Sequence, residues 1–161
     1  MAINATAGAK VFIGPATTTA DTLAEFQAIT TGWAEITPVE DLGEWGAEAT
    51  ELTFKALGDR HTRRMKGSFD AGTIELIVGR DPLDAGQIAA KAAFEDHLPY
   101  AFRVVLEDAP AGGTGTTFYF RAVVLSVRNN FGTEDNVTRT TLRLGIDGAV
   151  FEVPAAEAVD P

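Results

Sequence analysis

The stretch Ala47–Arg80, AEATELTFKALGDRHTRRMKGSFDAGTIELIVGR, decides how the rest of the chain is read. It opens with Leu52, Phe54 and Ala56 alternating with Thr53, Lys55 and Leu57. It closes with Ile74, Leu76 and Val78 alternating with Thr73, Glu75 and Ile77. Period-two alternation marks strands with one buried face. The pattern predicts a long protruding hairpin with strands Ala47–Leu57 and Thr73–Arg80. Between them, Gly58–Gly72 has no apolar period and predicts a loose loop, far longer than the roughly two to five residues of a tight hairpin. Arg60, Arg63, Arg64 and Lys66 outweigh Asp59 and Asp70 there, although the whole chain carries −10. A cationic tip on an acidic body points to a contact surface.

Upstream lies an acidic stretch, Glu40 to Glu51, with Glu40, Asp41, Glu44, Glu48 and Glu51 and no basic residue. Before it, Trp33–Val39 alternates as a strand that Pro38 confines to an edge or an end. Lys10–Gly14 predicts a short strand, and Asp21 is the expected cap of a short segment carrying Leu23, Ala24 and Phe26. Downstream, Asp81-Pro82-Leu83-Asp84 leads into the one strong helix, from about Ala85 to His97. Asp84 is the expected N-cap, with Gln87 three residues on as a capping box requires. Ala90, Phe94 and Leu98 form the expected buried stripe, from which Ile88 departs. Then come Phe102–Leu106, a Gly-rich connection Ala109–Thr116, Phe118–Arg128 with a phase change that predicts a bulge near Ala122–Val123, and Val137–Ile146. Residues 1–9 and 154–161 are small, polar or acidic and read as flexible arms. The whole, residues 1–161, predicts one mainly β domain: an antiparallel sandwich or barrel with one flanking helix.

Composition removes several chemistries. The chain has no cysteine, which excludes disulfides, thiolate catalysis and Cys-ligated metal, and suits a reducing cytoplasm. The opening MAINATAGAK has no basic region followed by an apolar core, so no secretory signal is expected. Arg103 and Arg121 break the longest apolar runs well short of a membrane span. The acidic balance opposes general affinity for nucleic acid, which depends on neutralising phosphates. His61 and His97 have no carboxylate or second histidine at a ligand spacing, and no metal or cofactor is expected. Asp81 and Asp84 lack a calcium-loop ligand series. The GGTGTT run at Gly112–Thr117 lacks the lysine of a phosphate loop and precedes a strand. Ser68 and Ser126 sit in no nucleophile elbow. An enzyme is not expected.

The basic run RHTRRMK lacks the aromatic residues that stack nucleic-acid bases. It reads either as a solvated tip or, preferably, as a docking element for an acidic partner. Glu40–Glu51 of another copy is such a partner, and a contact of that kind is heterologous, building rings or open stacks.

The order of ITPV (Ile36–Val39), the hairpin with DAGTIEL (Asp70–Leu76), DPLDAGQIAAKAAF (Asp81–Phe94), FRVVLED, TFYFRAVVLSV and TEDNVTRTTLRL resembles the major tail tube proteins of long, non-contractile-tailed bacteriophages and of gene transfer agents. The likeness spans roughly Trp33 to Ile146. It implies a subunit of six-membered rings that stack around a tape measure protein, with tail terminator and distal tail proteins at the ends. It also implies that DNA crosses the lumen without specific binding, that no membrane is involved, and that the particle is a virion tail assembled in the host cytoplasm. Carried onto this chain, the contact residues between subunits and rings are Arg60, Arg63, Arg64, Lys66, Glu40, Asp41, Glu44, Glu48, Leu52, Phe54, Ile74 and Leu76. Glu75 and Glu107 are the candidates to face the lumen. The rivals are a contractile-tail or secretion tube, and a glycan- or surface-binding β-sandwich, which would need exposed aromatics gathered on one face.

Overall fold

A computed structural model describes residues 3–158. The first two residues of the expected N-terminal arm and the last three of the expected C-terminal tail lie outside them. Ten strands and two helices follow in order: β1 (Lys10–Thr17), α1 (Leu23–Gln27), β2 (Ala34–Ile36), β3 (Val39–Asp41), β4 (Glu48–Phe54), β5 (Arg63–Asp70), β6 (Thr73–Gly79), α2 (Ala85–Glu95), β7 (Tyr100–Val105), β8 (Thr117–Asn130), β9 (Arg139–Ile146) and β10 (Phe151–Val153). All the strand pairings are antiparallel. One large sheet runs β2-β1-β7-β8-β9-β6-β3, with β10 beside the first half of β8. It is not closed into a barrel. β4 and β5 form a second sheet of their own.

Alternation builds the core. Val11, Ile13, Phe102, Val104, Phe120, Ala122, Val124, Leu142, Leu144, Ile74, Leu76 and Val78 point to one side of the curled sheet and are almost fully buried. Phe102 and Phe120 stack at 5.6 Å across β7 and β8, and Trp45 closes on Phe120 at 5.5 Å. The phase of β8 changes between Val124 and Ser126, a few residues later than the predicted bulge, so Leu125 turns outward and Val127 returns to the core. A smaller cluster on the other face gathers Phe26, Ala101, Tyr119 and Phe151 under α1. Thr22, not Asp21, caps α1: its hydroxyl accepts from the Glu25 amide, while the Glu25 carboxylate accepts from the Asp21 amide at 2.6 Å. The C-terminal tail is tied down as far as Ala156, which pairs with Thr114 of the Gly-rich connection.

The expected strand Trp33–Val39 is two strands, β2 and β3, and they lie at opposite ends of the large sheet although only Thr37 and Pro38 separate them. The two sheet edges therefore meet at one corner, and the start of α2 holds it. The Asp84 carboxylate accepts from the Thr37 amide at 3.2 Å, the Thr37 hydroxyl at 2.8 Å and the Gln87 amide at 2.9 Å. The Gln87 side-chain amide donates to the carbonyls of Thr37 (2.6 Å) and Gly79 (2.8 Å), and its oxygen accepts from the Asp81 amide. The expected cap is thus also a clamp across the seam.

Removing a cap costs about 1 kcal/mol, and hydrogen bonds to a charged group contribute about 1.5–3 kcal/mol. Asp84→Ala is expected to lower stability by about 3 kcal/mol, a fall in Tm of about 6–12 °C for a chain of this size. A thermal melt followed by circular dichroism measures it, and an unchanged midpoint would remove the clamp from the account.

The predicted helix stripe is corrected. Gly86, Ala90 and Ala93 face inward, whereas Phe94 and Leu98 stay exposed. The reason is distance: a β-carbon on Gly86 would sit 2.2 Å from the Glu35 carbonyl oxygen. The helix lies so close to the β2 backbone that only its small side chains fit beneath it.

Past β7 the chain bends. The Asp108 carboxylate accepts from the Thr116 amide (2.7 Å) and hydroxyl (2.6 Å), closing the Gly-rich connection. These bonds hold its pKa below the ordinary value of 3.8. A carboxyl depressed on folding stabilises the fold above its unfolded pKa and loses that contribution as pH falls through the folded one. Asp108→Asn is therefore expected to melt lower than the parent at pH 7, with the gap closing below pH 4. Melts from pH 7 to pH 2 test this; a gap that stays constant contradicts it.

Candidate functional site

β4 (EATELTF) and β5 (RRMKGSFD) pair from Phe54↔Arg63 down to Glu48↔Asp70, with an irregularity between Ala49 and Glu51. Eight residues, 55–62, make the tip. There the Asp59 carboxylate accepts from the His61 amide (3.0 Å) and from Arg63 Nε (2.9 Å). The basic run is thus largely a strand, and the predicted loop Gly58–Gly72 is corrected. The expected second hairpin strand, Thr73–Arg80, belongs instead to the large sheet, with β9 on one side and β3 on the other. Ile74 and Leu76 are corrected with it. They are 3% and 1% exposed, opposite Leu144 and Leu142, so their side chains belong to the subunit's own core.

The hairpin itself covers little. Apart from Ala49 and Gly67, every residue of its two strands is exposed. The register puts Leu52, Phe54 and Met65 on one face, with Glu51, Thr53, Arg64 and Lys66 on the other. Leu52, Phe54 and Met65 are 48%, 63% and 63% exposed. A two-stranded hairpin alone is marginal in water, and three adjacent apolar side chains left wet call for a covering surface. At the root, Glu48 and Asp70 stand directly opposite each other, a like-charge pair that weakens the ladder.

The predicted charges divide. Arg64 reaches Glu51 at 2.6 Å and Arg63 reaches Asp59 at 2.9 Å, so both arginines have partners inside the hairpin. Such exposed pairs contribute about 0–1 kcal/mol and separate readily. Arg60 and Lys66 have no ion-pair partner among the described residues. In the acidic segment, Glu40 pairs with Arg139 and the Asp41 carboxylate accepts from the Gly43 amide, while Glu44 is exposed. Glu75 is exposed opposite Arg143, on the side of β6 away from the core. Glu107 lies two residues beyond β7 in a bend beside Gly8, so its predicted strand alternation does not apply.

Sequence reasoning missed a second wet apolar surface. Ile88 and Phe94 of α2 are 55% and 44% exposed and border an open groove floored by Val127 of β8 and Leu142 of β9. The signal was Ile88, off the expected stripe. The two tryptophans do not gather on one exposed face as a glycan platform requires. Trp45 packs on Phe118 and Phe120, and Trp33 donates to the Ile29 carbonyl and covers the Arg103 guanidinium at 4.8 Å. Phe12 flanks the same guanidinium at 4.4 Å. His61 and His97 are exposed, and the described residues contain no group of side chains able to hold a metal ion. No described helix is long and apolar enough to cross a membrane.

No protein-family model and no curated protein sequence matches the chain. Solved structures do. A chain of the SPP1 tail tube superposes with a TM-score of 0.62 at 17% identity, over 93% of this chain and 78% of that one. This is the tail-tube fold. It extends to a chain of the anti-feeding prophage baseplate, with a TM-score of 0.70 and 10% identity over 96% and 98% of the two chains. A chain of the sheath/tube terminator of PVC, an extracellular contractile injection system, gives 0.69 and 12% over 95% and 98%. At these identities the likeness is one of fold.

Proposed function

We propose that the chain is a structural subunit of a phage-type tail tube, joining copies of itself into stacked, six-membered rings around a channel that DNA crosses. The observation that carries this reading is a tail-tube fold over nearly the whole chain together with a free-standing hairpin whose apolar face has no cover within the subunit. The subunit acts without chemistry of its own. Its partners are further copies, a tape measure protein within the lumen, and terminator and distal tail proteins at the tube ends; its place is the tail of a virion, built in the host cytoplasm. The narrower assignment to a non-contractile tail rests on the sequence order from Ile36 to Leu144.

Contacts between copies run through the hairpin, with Leu52, Phe54, Arg60 and Lys66 at its exposed surface. Glu75 marks the wall of the channel, on the side of β6 and β9 away from the core, where polar side chains meet solvent. The net charge of −10 keeps free subunits soluble and repels DNA from the assembled body.

Negative-stain imaging of the purified chain at rising concentration, with sedimentation velocity alongside, tests the proposal. Rings with a central hole, or tubes built from them, are expected. A chain that stays monomeric at every concentration and is not taken up by growing tubes overturns it.

A further inference from the structure

We propose that the apolar face of the hairpin seats in the groove beside α2 of a second copy. The proposal rests on the tube reading above and adds the receiving surface.

Five of the exposed large apolar residues fall on two surfaces. Leu52, Phe54 and Met65 stand on one face of the hairpin, and Ile88 and Phe94 stand on the outer side of α2. The groove next to Ile88 is open to solvent, and its floor of Val127 and Leu142 continues the apolar surface down to the sheet. It exists because Gly86, Ala90 and Ala93 draw the helix tightly onto β2, leaving the bulkier side chains of the helix outside. A narrow two-stranded ribbon is a suitable occupant for a channel between a helix and a sheet.

Charge favours the same pairing. From Lys55 to Lys66 the hairpin carries Lys55, Arg60, Arg63, Arg64 and Lys66 against Asp59 alone. From Arg80 to Asp96 the helix and its approach carry Asp81, Asp84, Glu95 and Asp96 against Arg80 and Lys91. In the groove lining itself Asp81 and Glu95 are matched by Arg80 and Lys91, so the excess negative charge sits at Asp84 and Asp96, the two ends of the helix. The segment Glu40–Glu51 is the poorer receiver. Glu40 already pairs with Arg139 and Glu51 with Arg64, contacts that a docking hairpin would have to displace. Opposite charge across a rim sets register and speeds encounter, while the buried apolar centre sets how long the contact lasts.

The absence of cysteine supplies a clean test. The chain is prepared with Phe54→Cys and Ile88→Cys together, assembled, and oxidised. A ladder of disulfide-linked oligomers on a non-reducing gel is expected, with no ladder when Cys replaces Glu44 in place of Ile88. Tubes without the Phe54–Ile88 ladder, or a ladder only with the Glu44 variant, overturn the proposal and leave the tube reading intact. Failure of the unmodified chain to form any ring or tube overturns that reading instead. As an independent measure, Ile88→Lys is expected to raise the concentration needed for assembly at least tenfold while leaving the melting temperature within a few degrees. Assembly at the parent's concentration overturns the proposal.

Discussion

Gly86→Ala is expected to destabilise the subunit by about 3 kcal/mol, although the same exchange in an exposed helix would stabilise it by about 1 kcal/mol. The sign is decided by what surrounds the missing side chain. An added methyl would lie 2.2 Å from the Glu35 carbonyl oxygen, 2.5 Å from its carbon and 2.6 Å from the Ile36 α-carbon. All three are backbone atoms, so no rotamer change relieves the overlap. The helix must back away from β2, and the Asp84 and Gln87 bonds across the seam lengthen with it. Overpacking a rigid site costs about 1–3 kcal/mol, and loss of clamp bonds adds to that. Urea titration measures the change. A variant as stable as the parent would mean that α2 is held elsewhere.

Excising the hairpin is the other large effect, and it falls on assembly alone. β4 and β5 pair only with each other, and Glu48 and Asp70 are register partners at the root, a separation of about 5 Å that two glycines span. Replacing residues 48–70 by Gly-Gly is expected to leave a folded subunit whose Tm shifts by no more than about 4 °C, equivalent to about 1 kcal/mol. Ring and tube formation are expected to vanish. Circular dichroism reads the first outcome and electron microscopy the second. Tubes from the shortened chain would exclude the hairpin as the joining element, and an unfolded chain would show that it supports the core after all.

The two effects follow features of unequal visibility in the sequence. The strands that enclose the core announce themselves because burial on one side alone writes a period of two, as at Ile74-Leu76-Val78 and Leu142-Leu144. The helix opening at Asp84 was readable too, since a cap residue and Gln87 three positions on have a local cause. β5 had no such signature. Both faces of RRMKGSFD meet water, so nothing forces its apolar residues into phase, and a strand without a core looks like a loop. The wrong partner for β4 followed: Thr73–Arg80 was the nearest run with alternation.

The helix face was misjudged for another reason. Hydropathy favoured Phe94 and Leu98 over Gly86 and Ala93, but the space beneath α2 is set by contact with backbone, where size outranks greasiness. The candidate contact residues divide along the same line. Leu52, Phe54 and the cations are at the surface, while Ile74 and Leu76 obeyed their period and went inside. No local pattern disclosed the groove, because its two walls are about 40 residues apart in sequence.

The shortness of β2 and β3 has a consequence for the pool of free subunits. Each border of the large sheet ends in a strand of three residues, too short a template for a stranger's backbone to zip onto. The longer rims belong to β4 and β5, whose exposed Glu48, Glu51, Arg63, Arg64 and Lys66 are the charged side chains that blunt an open strand edge. Free copies of the chain therefore present no long, bare strand edge through which to aggregate.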